Sequence, residues 1–416
     1  MYIVFLEIRE KVLTMRLSKG YYIIGGKAYI RPLGSIQIFG GDVDERTVEI
    51  PYARQAPVYI DREAEVEIDG GYVVRVDEDP IPREWRESIK DFREGGKTVV
   101  IGGVDVGKSG YTLYIANQLV KKGYRVGIID TDIGQSDLGP PGTIGSSIID
   151  KQYVNYHEIP LYNAYFIGDK MPSGHLLQIV IGTYKLIKEM ENEADIVIVN
   201  TSGYIRGGVA RALKRHIVEV VEPTNIYIFD KEGETKHIVD DLKGYNIKYL
   251  PIPKTLKPKR IWERREYRNY YLKKYIDEAR ETKFYLSNLK FDQTILDKVC
   301  YRIFRGYTYG LYQDGERTFF ITYGVIPKEI ISEIFRGLEI RRYTHIDIKR
   351  LRGLLLGLYR EGRFLNIGLL LDYNPINKEI KVLTKVDSEP DEIKFGYLIV
   401  DSELNEVMRL RPGFLG

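Results

Sequence analysis

Gly102-Gly103-Val104-Asp105-Val106-Gly107-Lys108-Ser109-Gly110 follows the apolar run Thr98-Val99-Val100-Ile101 and precedes Tyr111-Thr112-Leu113-Tyr114-Ile115-Ala116-Asn117-Gln118-Leu119. The flanks read as a buried strand and a helix, which places the glycines in the turn between them. Such a turn lets successive backbone N–H groups approach a phosphate, because no Cβ stands in the way and the helix N-terminus adds positive partial charge. The pattern G-x4-G-K-S also supplies Lys108 for the β- and γ-phosphates and the Ser109 hydroxyl for Mg²⁺. Residues 102–110 are therefore predicted to bind a nucleoside triphosphate.

Working outward, apolar runs at 98–101, 125–129, 196–199, 226–229 and 247–250 alternate with stretches of helical periodicity. Continuous apolar runs of this kind suit parallel strands covered on both faces, so the fold class is α/β, a doubly wound domain with ligands at the carboxyl ends of its strands. The N-terminal 80 residues read as a small all-β domain. Glu65-Val66-Glu67-Ile68, Asp69-Gly70-Gly71 and Tyr72-Val73-Val74-Arg75-Val76 give a hairpin signal, and Ser35-Ile36-Gln37-Ile38-Phe39-Gly40-Gly41 repeats it. Pro80-Ile81-Pro82 interrupts the ladder, and residues 85–92 are expected to form a short helix. From about residue 283 the strand pattern returns in a β-rich third part. The expected division is 1–80, 81–282 with a basic lid at about 254–275, and 283–416.

Composition narrows the class. Hydrophobic residues at 44% and charged residues at 29% suit an ordinary chain with sizeable cores. No apolar run reaches 18 residues, and the opening residues 1–6 are followed at once by Glu7 and Arg9, so neither a membrane span nor a signal peptide is expected. One cysteine, Cys300, excludes an internal disulfide and fits a reducing cytosol; a small buried apolar role is expected for it. Five scattered histidines give no zinc spacing. The net charge of +3 is too small to argue for nucleic acid without clustering.

A phosphate loop needs an acid at the end of a neighbouring strand. The run ending at Ile129 leads into Asp130-Thr131-Asp132-Ile133-Gly134-Gln135, whereas that ending at Val199 leads into Asn200-Thr201-Ser202-Gly203-Tyr204. Only the first carries carboxylates, so Asp130 is assigned to the magnesium shell and Asp132 to the general base, with the reverse order left open by the spacing. Asn200-x-x-Gly203 stands where a glycine N–H can face the terminal phosphate. Gln135 is a candidate for orienting a water or a phosphate.

Charge clusters once. Lys254, Lys257, Lys259, Arg260, Arg264, Arg265, Arg268, Lys273 and Lys274 crowd a short segment interleaved with Trp262, Tyr267, Tyr270, Tyr271 and Tyr275. A solvated helix face is the bland account. The alternatives are backbone contact with base stacking, or arginines that close over a transferring phosphoryl group as a lid. Thr384-Lys385-Val386-Asp387 matches a relaxed guanine-reading pattern but lies far downstream, and is set aside as coincidence.

The loop with its internal Asp105, the Asp130-Thr131-Asp132-Ile133-Gly134-Gln135 run, Pro140-Pro141-Gly142 and Asn200-Thr201-Ser202-Gly203-Tyr204 together resemble the polynucleotide 5′-hydroxyl-kinase family, which includes the kinase subunit of the pre-mRNA cleavage factor, ribosomal-RNA-processing kinases and archaeal RNA kinases. The resemblance spans the chain and implies a β-rich domain on each side of a central P-loop domain. It also implies transfer of the ATP γ-phosphate to the 5′-hydroxyl of RNA, often of DNA too, with Mg²⁺. By motif, Asp132 matches the family's base. Tyr204 stands where the family has a tryptophan that clasps the terminal nucleotide, and Lys170 in Gly168-Asp169-Lys170-Met171-Pro172 replaces a clasp threonine. Arg264, with Lys259 or Arg260, matches the lid arginines. Tyr204, Lys170, Gln135, Lys259 and Arg260 are thus the expected nucleic-acid contacts, and Lys108, Asp132 and Arg264 the expected catalytic set. A silent ATP-binding scaffold of an RNA-processing assembly is the rival; a GTPase-like switch is disfavoured by the missing guanine-reading motif in the central domain.

Overall fold

The computed structural model describes residues 12–336, 338, 340 and 342–415. The opening hydrophobic residues 1–6 lie outside them, and among the described residues no helix is long and apolar enough to cross a membrane. The chain separates into two compact units: residues 1–139, 143–165 and 171–268 form the first, and 140–142, 166–170 and 269–416 the second. The N-terminal strands and the phosphate loop thus share one unit, while the expected division falls at 80 and 282.

The first unit opens with β1 (Leu13–Pro32), β2 (Ile36–Ile38), β3 (Gly41–Val43), β4 (Val48–Ile50) and β5 (Gln55–Val76), in the order β3-β2-β5-β1-β4. β1 and β5 pair along two stretches, so that Ile68 faces both Leu13 and Ala28, and Ile24 faces both Ala56 and Val73. The sheet curls back on itself around Ile24, Ile30, Ile60 and Val66, all fully buried. The hairpin expected at Asp69-Gly70-Gly71 is absent, because this stretch is the interior of β5. The glycines serve a close crossing instead: a Cβ on Gly71 would lie 2.3 Å from Gly25 O, and one on Gly26 2.5 Å from Gly71 Cα. The second expected hairpin does form between β2 and β3, turning through Phe39 and Gly40 at positive φ.

After α1 (Arg83–Glu87) come β6 (Lys97–Gly102), α2 (Lys108–Lys121), β7 (Val126–Asp130), β8 (Thr143–Ile149), β9 (Asn163–Phe166), α3 (Leu176–Met190), β10 (Ile196–Asn200), α4 (Gly207–Val221), β11 (Asn225–Phe229), α5 (Lys236–Val239), β12 (Ile247–Tyr249) and α6 (Ile261–Ile276). The sheet order is β12-β11-β6-β10-β7-β8-β9, with parallel pairing from β12 to β7 and β8 antiparallel to β7. All five expected runs are strands, and the phosphate-loop strand β6 sits between β10 and β11. Every residue of β7, β10 and β11 is buried, as expected for strands covered on both faces. Helix α2 is fastened to the β2–β3 turn, Asn117 Nδ2 donating to Phe39 O and Gln118 Nε2 to Gly40 O.

The second unit is β-rich, as expected. β13 (Arg280–Tyr285), β14 (Lys290–Asp292), β19 (Leu354–Arg360), β20 (Arg363–Asn374), β21 (Glu379–Thr384), β22 (Glu392–Val400) and β23 (Glu406–Arg409) form one sheet. β15 (Cys300–Phe304), β16 (Tyr307–Asp314), β17 (Arg317–Thr322) and β18 (Thr344–Asp347) form another, with α7 (Lys328–Ile334) between β17 and β18. Two expectations here need comment. Cys300 is exposed rather than buried, because it opens β15, a strand at the edge of its sheet. Thr384 of the guanine-like pattern is buried and donates its hydroxyl to Ile367 O, a structural role in β21.

Candidate active site

The turn between β6 and α2 adopts the conformation its glycines permit. Gly107 precedes the helix at φ +100°, and Asp105 is also left-handed at φ 54°. Lys108 folds back over the loop and donates to Gly103 O at 2.5 Å, an arrangement in which a carbonyl stands where phosphate oxygens would compete for the amine. Its burial lowers the amine to about 8 against the pull of Asp132, Asp105, Asp130 and Glu234.

Asp130 ends β7 and is 1% exposed. Its Oδ2 accepts Asp137 N at 2.6 Å and its Oδ1 accepts Asp132 N at 3.1 Å, so this carboxylate shapes the loop that follows it. Burial, reinforced by Asp132, pushes Asp130 up to about 8. Of these two acids it is Asp132 that lines the cleft, with its Oδ1 accepting Gly134 N and Gln135 N at 3.1 Å each. The two acids therefore differ in position: one is enclosed behind the loop, the other presented to the ligand space.

Asn200 ends β10 and connects the two strands. Its Nδ2 donates to Ser109 Oγ at 3.2 Å and to Asp130 Oδ1 at 3.3 Å, while its buried Oδ1 finds no partner among the described residues. An orphaned oxygen beside a hydroxyl and a carboxylate is a donor set that suits a hard, hydrated cation. Two residues on, Gly203 lies against the phosphate loop, where a Cβ would fall 2.4 Å from Val104 Cγ1 and 2.8 Å from Val104 N. Only glycine fits that approach.

The basic segment reaches the same loop. Arg264 Nη2 lies 2.6 Å from Asp105 Oδ2, and Lys259 N donates to that oxygen at 2.9 Å. Lys259 Nζ lies 3.4 Å from Gln135 Oε1 and 5.4 Å from the Tyr267 ring centroid. Its burial and the nearby Arg54 lower this amine to about 7. Tyr267 and Tyr271 are core residues at 1% and 2% exposure, whereas Trp262 is half exposed at the cleft.

The resulting cleft holds about 1200 Å³ and is lined by residues 104–110, Asp132, Gln135, Tyr204, Lys259 and Arg260. Gly102, Gly103 and Arg264 are not among its lining residues, though Arg264 pairs with Asp105, which is. Lys170 belongs to the second unit, where its amine pairs with Glu406 and its neighbour Asp169 is gripped by Arg409 through bonds of 2.7–2.9 Å. From the same stretch the cleft takes Met171 and Pro172. Sequence reasoning missed two participants. Arg54, from the loop before β5, pairs with Asp137 and donates to Tyr267 OH at 2.8 Å. Lys214, on α4, donates to Ser202 O at 2.6 Å from complete burial. Neither lies in a motif. An arginine beside a short strand carries no signal, and the lysine is hidden among Arg211 and Arg215.

A phosphate loop at the carboxyl edge of a parallel sheet, with the acid-bearing strand β7 one place beyond its neighbour β10 and a basic segment paired to the loop, defines a P-loop nucleotide-binding protein. Residues 102–278 match the model of the family described as mRNA cleavage and polyadenylation factor CLP1 P-loop. A protein of Pyrococcus abyssi named polyribonucleotide 5′-hydroxyl-kinase is 31% identical over 334 residues, covering 77% of this chain and 92% of its own. One of the same name from Methanocaldococcus jannaschii is 28% identical over 360 residues, 81% of this chain and 95% of its own. The chain belongs to the polyribonucleotide 5′-hydroxyl-kinase family. The solved structure of wild-type Clp1p in its complex with Pcf11p shares the fold, with a TM-score of 0.58 at 13% identity over 93% of this chain and 97% of that one.

Proposed function

We propose that this protein is an ATP-dependent polynucleotide 5′-hydroxyl kinase that moves the γ-phosphate of ATP to the 5′-OH of RNA, and of DNA where the acceptor site admits it. The observation that carries the reading is the placement of Asp132 in the same cleft as Lys108 and the phosphate loop, while Asp130 is enclosed behind it. Asp132 accepts the proton of the attacking hydroxyl as the new O–P bond forms and the bond from the γ-phosphorus to the ADP oxygen breaks. Lys108 neutralises charge on the phosphates, and Arg264, released from or shared with Asp105, does the same from the lid side. Catalysis is otherwise a matter of holding the two reactants in line.

The donor set around Asn200 fits Mg²⁺. Ser109 and Asp130 would hold it, Asn200 Oδ1 adding an oxygen to the shell, and the ion would draw off charge from the β- and γ-phosphates. Tyr204 and the exposed Trp262 offer ring faces to the terminal nucleotide, and Lys259, Arg260 and Gln135 offer polar contacts to its phosphates. Lys170 is the weakest of the proposed nucleic-acid contacts, because Glu406 already holds its amine.

Relatives named CLP1 homolog and a solved Clp1p–Pcf11p complex also support a place among RNA-processing partners. The lone exposed cysteine fits a cytosolic setting. Incubation with γ-labelled ATP and matched 5′-hydroxyl RNA and DNA oligonucleotides tests the reading. Label on the oligonucleotide supports it. Bound ATP with no transfer to either acceptor replaces it with the scaffold reading.

A further inference from the structure

Lys214 is fully buried on α4, on the face shared by Ala210, Leu213, Ile217 and Val218, where an aliphatic side chain would be the ordinary choice. Its amine returns to the β10–α4 loop, 2.6 Å from Ser202 O and 3.1 Å from Ser202 Oγ. Among the described residues it has no carboxylate partner within ion-pair distance. Burying an amine on these terms is unfavourable, and its affinity for a proton falls to about 7 through burial and the nearby charge of Lys108. A group held at such a disadvantage calls for a reason.

The bond to Ser202 O supplies one. In a trans peptide the C=O of one residue and the N–H of the next lie in one plane and point in opposite directions. An amine that grips Ser202 O from inside the protein therefore aims the Gly203 N–H the other way. Gly203 lines the cleft and touches the phosphate loop at Val104, and its N–H makes no hydrogen bond to the described residues. The Ser202–Gly203 peptide is a donor held at one end and open at the other.

We propose that Lys214 is a positioning residue for the transferable phosphate: by holding Ser202 O it directs the Gly203 N–H toward the γ-phosphate of a bound nucleoside triphosphate. The proposal rests on the reading of the cleft as a triphosphate site, and it does not require that the acceptor be RNA. Because only the γ-phosphate reaches Gly203, loss of Lys214 weakens binding of a triphosphate and leaves a diphosphate unaffected.

The test measures affinities for ADP and for a non-hydrolysable ATP analogue in the full chain and in its Lys214→Met and Lys214→Gln variants, each checked by thermal melting. The expected result is ADP affinity within about twofold of the parent, with triphosphate affinity about tenfold weaker in Lys214→Met and less weakened in Lys214→Gln, whose amide still donates. Equal affinity for the analogue in all three proteins overturns the proposal, as does a parallel loss for both nucleotides, which would mark general loosening. Should neither variant fold, amide exchange in the parent decides: residues 202–204 are slowed by the triphosphate analogue but not by ADP, and equal protection by both overturns it. These readouts hold whether or not labelled phosphate reaches RNA, so failure of the kinase reading and failure of this one are separately visible.

Discussion

Arg264 Nη2 stands 2.6 Å from Asp105 Oδ2, so the basic segment is tied to the phosphate loop through that loop's own acidic side chain. Asp105 occupies an x position of G-x4-G-K-S and holds a left-handed backbone, φ 54°, that its carboxylate helps to justify by also accepting Lys259 N at 2.9 Å. One residue thereby belongs to the phosphate loop and ties the basic segment to it.

Asp105→Ala should free the basic segment from the phosphate loop. Removing a charged acceptor that two lid donors share is worth roughly 1–3 kcal/mol where the site is dry, and somewhat less here because Arg264 is partly solvated. The expected outcome is faster amide exchange over residues 259–264 and weaker retention of ATP, with the melting temperature of the first unit little changed. Unaltered exchange over the lid would show that the pair holds nothing.

Lys108→Ala should reduce phosphoryl transfer by roughly 10³-fold or more, since the amine meets charge that grows during the reaction. Steady-state kinetics with labelled ATP gives the number. A loss confined to KM would reassign the lysine to ground-state binding.

Asp132→Asn should preserve ATP affinity and lower turnover by roughly 10²- to 10⁴-fold. Asp130→Asn should behave differently. Its two oxygens each accept a backbone N–H in the 130–137 loop, and an amide cannot accept through both ends, so the folded protein itself should lose stability. Melting curves beside turnover separate the two acids.

Arg54→Met should lower stability by about 2–4 kcal/mol, because Asp137, 3% exposed, loses its guanidinium partner within the protein. Denaturant unfolding measures the difference. A near-neutral result would mean that Tyr267, whose hydroxyl lies 3.0 Å from Asp137 Oδ1, suffices alone.

The buried amine of Lys214 also predicts a pH signature. Burial lowers its folded-state affinity from the ordinary 10.5 to about 7, so between these limits the unfolded chain binds more protons than the folded one. Below about pH 7 the burial penalty is fully present, and it fades as pH rises toward 10.5. The parent should therefore gain stability relative to Lys214→Met across that window. A difference between them that does not vary with pH would contradict the assignment.

The central sheet was legible because its strands are continuous apolar runs bounded by helices, and because Gly107, Lys108 and Ser109 permit few other conformations. What lay beyond local pattern was not legible. Asp69-Gly70-Gly71 carries every mark of a turn, yet its glycines admit the crossing of Gly25 and Gly26, a contact set by the curling of a whole sheet. β8 escaped notice because Gly145, Ser146 and Ser147 weaken its strand signal, while the bonds to β7 that make it a strand are non-local. Arg54 and Lys214 reach the site only through tertiary folding. Lys170 matched a motif position, but Glu406, more than 200 residues away in sequence, claims its charge.

The most direct test follows labelled γ-phosphate from ATP to the 5′-hydroxyl of an RNA oligonucleotide, comparing the parent with Lys108→Ala and Asp132→Asn. The account predicts 5′-labelled RNA from the parent, none above background from Lys108→Ala and a trace from Asp132→Asn. Parent protein that binds ATP but leaves the RNA unlabelled, or an Asp132→Asn variant that transfers at the parent's rate, would contradict it.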